Sequence, residues 1–278
     1  MAKLTDEQEK PETANGEISL LEDAHALARH FFPKNKKQKA AFINRLIDSY
    51  NTAKETDTLI MHNPGGWGFT DIENLIFWER SVVEGLKNTL TKMGRNWVLL
   101  QYYRAGPKCS RYFLNGPEQF RYYITGKFFK AELLAAELNF LTGHINNLKI
   151  FLLGVSQGAA FGNTVMMHVG NNPNVFSIEL GTFFVHMKRR VLTGRTLALD
   201  NNGMMSDPVS DFHLGPAVKA YVTAPYRWLK YRLAGKPEKF TYCINVPGHE
   251  YQWEFPEVGA KIESFIAAKL GYSGGDRS

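Results

Sequence analysis

Residues 154–158 read Gly-Val-Ser-Gln-Gly, a serine flanked on each side by one residue and then a glycine. A serine hydroxyl is a weak nucleophile until a base takes its proton and a third group orients that base. Eight histidines are present, and four of them, His168, His186, His213 and His249, follow the serine. Three aspartates, Asp200, Asp207 and Asp211, lie close together in "LALDNNGMMSDPVSD". Serine, histidine and carboxylate are the ingredients of acyl transfer through a covalent intermediate. The pentapeptide by itself is weak evidence, so its surroundings must decide. Other chemistries find less support. Cys109 and Cys243 are far apart, which favours two separate thiols over a disulfide. No Cys/His cluster has metal-ligand spacing, and no metal or cofactor is expected. The glycine loop "HNPGGWG" lacks both G-x-G-x-x-G and the lysine of a phosphate-binding loop.

The serine needs a sharp turn, and that turn needs an element on each side. "LKIFLLG" before it reads as a buried strand, and "QGAAFGNTVMMHV" after it as a helix. The flanking glycines suit a turn whose backbone neighbours crowd any Cβ. The N-terminal amides of the helix would point at an oxyanion formed beside Ser156. Elsewhere "TLIMH", "NWVLLQYY", "NVFSIELG", "TLALD" and "KFTYCINV" read as strands. Between them lie helical stretches. One opens with Thr70 and Glu73 in capping-box spacing and carries Ile72, Leu75, Ile76, Val82, Val83, Leu86, Leu90 and Met93 on one face. Residues 117–146 read as mostly helical, 216–233 as a basic aromatic helix interrupted near Pro225, and "PEVGAKIESFIAAKL" as a closing amphipathic helix. Alternating strands and helices predict an α/β fold: a mostly parallel central sheet flanked by helices. Strands apolar on both sides predict a sheet buried on both faces.

The domain reading follows. Residues 1–17 form a polar tail, 18–56 an N-terminal helical extension, and 57–272 the main α/β domain. With 278 residues, 44% of them hydrophobic and 22% charged, the chain can bury a sizeable core. It holds no apolar run of the roughly 18 residues a membrane span needs, and no apolar stretch near residue 1, so a cytoplasmic protein is the expectation.

On "GVSQG" in its strand–turn–helix setting, with the upstream glycine loop, residues 57–270 resemble the α/β-hydrolase superfamily. "GVSQGA" has the form seen in cutinase-like and lipase-like members. The resemblance implies a serine esterase whose nucleophile, acid and base occur in that chain order. Ser156 is then the nucleophile. His249, in "NVPGHEYQW" after the last strand, falls where the family places its base, with His213 as the rival. His168 falls inside a helix as a packed residue, and His186, beside a basic run, as a solvated one. Asp207 fits the acid best, ahead of Asp211 and Asp200. The oxyanion hole would take the Gln157 amide and one from "HNPGGWG", either Gly66 or Trp67; His62 reads as structural. A carboxylic ester with an apolar acyl part is the leading substrate, and a thioester is the alternative. A second reading is a binding protein of the same fold without catalysis.

Two windows carry most of the positive charge. Residues 102–130 hold six Lys or Arg against Glu118 alone, and 217–239 hold six against Glu238 alone. Both are rich in aromatics. As cap-like insertions near 103–146 and 212–239 they would wall a pocket, or meet anionic lipid at a membrane surface. Nucleic acid is not expected as a partner, because no nucleic-acid module is recognisable.

Overall fold

The computed structural model describes residues 12–66, 68–104, 128–235, 243 and 246–271. Two helices open the chain, α1 (Glu12–Phe31) and α2 (Lys36–Ala53). Asn35 caps α2, its side-chain oxygen accepting from the Gln38 amide at 3.0 Å. Then strands and helices alternate: β1 (Thr58–Asn63), α3 (Phe77–Lys92), β2 (Trp97–Gln101), α4 (Phe129–His144), β3 (Lys149–Val155), α5 (Gln157–Val169), β4 (Val175–Leu180), a short α6 (Phe184–Met187), β5 (Thr196–Leu199), α7 (Leu214–Leu233) and α8 (Val258–Leu270).

The five strands form one all-parallel sheet in the order β2-β1-β3-β4-β5. The chain is an α/β protein. Both faces of the sheet are covered, as parallel sheets require. On one face Leu59, Met61, Ile150 and Leu152 pack with α1, α2, α4 and α5. On the other, Ile60, Phe151, Leu153 and Ile178 pack with α3 and α8. From β1 the chain passes outward to β2, and later returns to place β3 on the other side of β1. The loops leaving β1 and β3 therefore diverge and open a crevice at the carboxyl ends of these strands, where ligands of open α/β sheets bind.

Several expectations are corrected here. Residues 12–17, read as part of a tail, are the first turns of α1. The N-terminal helices share their core with the sheet: Leu20, Ala24, Phe42 and Leu46 are buried in the same cluster as Leu59 and Leu152. Glu137 of α4 is buried and fastens α2, accepting from Arg45 Nε at 2.6 Å and Ser49 Oγ at 2.7 Å. Residues 129–144, within the first cap-like insertion, are a core helix with Leu134, Leu138 and Leu141 buried; the insertion's residues 105–127 lie outside the described residues. Thr70 and Glu73 form no capping box. The Gln101 side chain accepts from the Ile72 amide and donates to the Thr70 carbonyl, holding that stretch off the helix. Only a 3₁₀ turn, Ile72–Asn74, precedes α3. The helix α7 runs through Pro225. The expected strand 239–246 lies outside the described residues except Cys243, which is in a 3₁₀ turn, and Val246.

Candidate active site

Ser156 stands where β3 becomes α5, with φ 54° and ψ −114°. A non-glycine residue rarely adopts that backbone, and holding it there costs on the order of 1–3 kcal/mol. The surrounding structure fixes it. The Ser156 amide donates to the Leu180 carbonyl at 2.8 Å, and its carbonyl accepts from the Ala160 amide at 3.1 Å. The motif glycines have a steric cause. A Cβ on Gly154 would overlap the Gly158 carbonyl, and one on Gly158 would overlap the Asn63 carbonyl. The serine turn and the loop after β1 thus touch backbone to backbone.

That loop is held from beneath. Glu79 of α3 accepts from the Gly65 amide at 3.1 Å, and the same oxygen lies 3.1 Å from His62 Nε2. Buried Arg104 donates to the Pro64 and Gly66 carbonyls at 2.6 and 2.7 Å. Pro64 has no amide hydrogen, and the Gly65 amide is engaged by Glu79. The Gly66 amide donates to no described residue, and neither does that of Gln157, the first residue of α5. Both are left unpaired by the described residues, as are the Gly158 and Ala159 amides in the same first turn of α5. Trp67 lies outside the described residues.

Asp207 is fully buried. Its Oδ1 accepts from the Val209 amide at 2.8 Å. Its Oδ2 accepts from His249 Nδ1 at 2.7 Å, the Tyr251 hydroxyl at 2.8 Å and Ser210 Oγ at 3.2 Å. Burial pushes the Asp207 carboxyl up, but the hydrogen bond and charge of His249, with Tyr251 and the Val209 amide, outweigh it and hold the group below the usual carboxylate range. Burial and the neighbouring Asp207 push the Tyr251 hydroxyl strongly up, so it remains a donor. Asn202 joins the two loops, donating to the Glu250 carbonyl at 2.9 Å. Gly181, next to the Leu180 that holds the Ser156 amide, has φ 57°. A Cβ there would come within 2.6 Å of Asp207 Oδ2 and 2.8 Å of His249 Cε1. The Asp207–His249 pair therefore sits against the end of β4, beside the serine turn. Between Ser156 and His249 the structure makes no hydrogen bond.

The remaining candidates lie elsewhere. Asp200 is paired with Arg190 Nη1 at 2.7 Å, and Asp211 is exposed. His213 is exposed at the start of α7, outside the Asp207 hydrogen bonds. His168, expected to be packed, is exposed on the last turn of α5. His186, expected in solvent, is buried. The short α6 carries it onto α5, with its Nε2 3.0 Å from Asn163 Oδ1. Asn163 also donates to buried Glu179, which accepts from Arg190 Nε at 2.9 Å. Sequence reasoning missed Tyr251, Gly181 and Arg104. For Tyr251 a signal existed in "GHEYQW", two residues past the histidine.

No protein-family model matches this chain, and no curated protein is significantly similar to it. The site must be judged on its own geometry. Among the described residues no group of His, Cys, Asp and Glu is placed to hold a metal ion, and no helix is long and apolar enough to cross a membrane.

His186 gives a pH prediction. Burial, with Arg190 and Arg189 nearby, lowers its pKa from 6.5 to about 4. The folded protein keeps it neutral over a range where the unfolded chain protonates it. Stability therefore falls as pH drops from about 6.5 towards 4, by at most ~3 kcal/mol. His186→Gln keeps a donor for Asn163 without the charge, so its urea midpoint is expected to move less over that interval.

Proposed function

We propose that this protein is a serine hydrolase of α/β-hydrolase type that cleaves a carboxylic ester through an acyl-enzyme on Ser156. The supporting observation is the Asp207–His249 hydrogen bond, held against Gly181 beside the strained Ser156. Asp207 fixes the imidazole with its Nδ1 proton inward, leaving Nε2 free to accept. His249 Nε2 takes the Ser156 Oγ proton as the oxygen attacks the ester carbonyl. The carbonyl electron pair moves onto oxygen, between the Gln157 and Gly66 amides. Collapse of the tetrahedral intermediate expels the alkoxide, which receives the proton from His249. Water, deprotonated by the same histidine, then attacks the acyl-enzyme and releases the acid and Ser156. Thioesters fit the same sequence of steps.

The test is labelling with a fluorophosphonate probe, wild type beside Ser156→Ala, followed by an acyl-chain series of chromogenic esters and thioesters. Stoichiometric labelling of the wild type alone is expected. A folded wild type that takes up no probe would overturn the hydrolase reading in favour of a binding protein.

A further inference from the structure

The helix α7 is unusual in having two apolar faces. Its inner face carries Ala220 and Ala224, both buried, with Ala220 in a small cluster with Val209 and Val246. This packs the helix on the loops that bear Asp207 and His249. At about 100° per residue, Val218, Val222, Pro225, Tyr226, Leu229 and Leu233 fall in one stripe on the opposite side. Val222 is 72% exposed, Tyr226 70% and Leu233 81%. Water thus meets an apolar band four turns long, where an ordinary surface helix would be polar.

The flanks of that band are cationic. By the same spacing Lys219 and Lys230 lie at one edge, Lys219 also lining the cleft with Met205 and Pro208, and Arg232 lies at the other, its guanidinium 4.5 Å from the centre of the Trp228 ring. Arg227 turns inward, donating to the Cys243 carbonyl at 3.4 Å. Residues 214–233 contain four Lys or Arg and no Asp or Glu. Among the described residues no carboxylate forms an ion pair with any of the four. An apolar stripe edged by cations is the form of a helix that lies in the plane of a bilayer interface, its apolar side among the upper acyl chains and its cations at the headgroup phosphates. A second copy of the chain fits poorly, because docking two such faces would bring like charges together without a compensating acid.

We propose that the outer face of α7 is a docking surface for anionic lipid bilayers, with Val222, Tyr226, Leu229 and Leu233 entering the interface and Lys219, Lys230 and Arg232 meeting anionic headgroups. The proposal does not depend on catalysis. It is tested with full-length Ser156→Ala protein, so that no lipid can be turned over, by co-sedimentation with phosphatidylcholine vesicles with and without phosphatidylglycerol. Partitioning is expected to be at least ~tenfold stronger onto the anionic vesicles and to weaken with added salt. Val222→Asp/Leu229→Asp in the same background should lose at least ~tenfold in partitioning while keeping its circular dichroism and Tm, since both side chains are exposed. Equal partitioning of the two proteins, or no pelleting with either vesicle, would overturn the proposal and leave the hydrolase reading standing. So would a concentration-dependent dimer, abolished by the double substitution, in a protein that binds no vesicles; that outcome assigns the face to a second copy.

Discussion

Ser156→Gly is expected to be inactive and more stable than the wild type. Loss of the nucleophile should lower kcat on an activated ester by ~10⁴-fold or more, leaving what the oxyanion donors and binding contribute. Stability should move the other way. Ser156 is held at φ 54° and ψ −114°, a region glycine enters freely and other residues enter at about 1–3 kcal/mol. Glycine gives back ~0.5–1 kcal/mol through its looser unfolded chain, so a net gain of up to about 2.5 kcal/mol remains. In a protein of this size that raises Tm by up to roughly 10 °C. Ser156→Ala separates the two effects, since it loses the hydroxyl but keeps the strained backbone. It should be as inactive as the glycine variant and clearly less stable than it. A thermal melt placing Ser156→Gly at or below Ser156→Ala would show that the turn stores no strain.

Asp207→Asn should lower kcat by ~10³–10⁴-fold with little change in the backbone. The amide can turn its NH₂ towards His249 Nδ1 and so favour the tautomer whose Nε2 cannot accept the serine proton. Three donors converge on Asp207 Oδ2, from His249, Tyr251 and Ser210. An asparagine facing NH₂ to any of them leaves a buried donor unsatisfied, at about 1–3 kcal/mol. The pH dependence has a defined sign. The folded carboxyl titrates below its unfolded value near 3.9, so its stabilising contribution is present above about pH 4 and is lost as pH falls further. Urea titrations from pH 3 to 7 should show that acid-side loss in the wild type and its absence in Asp207→Asn. Full activity in Asp207→Asn would exclude Asp207 as the orienting acid.

Much of this arrangement is legible in the sequence because it is local. Ser156 lies between a run of buried residues and a helix, and its two glycines are spaced for a turn that admits no Cβ. Asp207 and His249 stand in loops after short apolar stretches, in an order that resemblance alone makes suggestive; their 2.7 Å contact is a fact of the fold. What escaped the sequence depends on distant partners. His186 adjoins Lys188, Arg189 and Arg190 and so reads as a surface residue, yet Asn163, 23 positions earlier, draws it inward. Thr70 and Glu73 have the spacing of a helix start, but Gln101 occupies the backbone groups that a helix would use. Arg104 reads as part of a basic window. Its role in clamping the Pro64 and Gly66 carbonyls follows only once β1 and β2 are paired.

The closeness of Gly158 to the Asn63 carbonyl has a consequence for how the site could change. Gln157 adjoins Gly158 in the chain and Gly66 follows Asn63 by three residues, so the two segments meet like a jaw: a shift of one backbone at the contact is pushed directly into the other. How closely the two segments approach is thereby limited by hard-core repulsion, which is steep, where hydrogen bonds alone would let the spacing drift. Variation in what this protein accepts would then arise mainly in the walls around the jaw, while the jaw itself keeps one width.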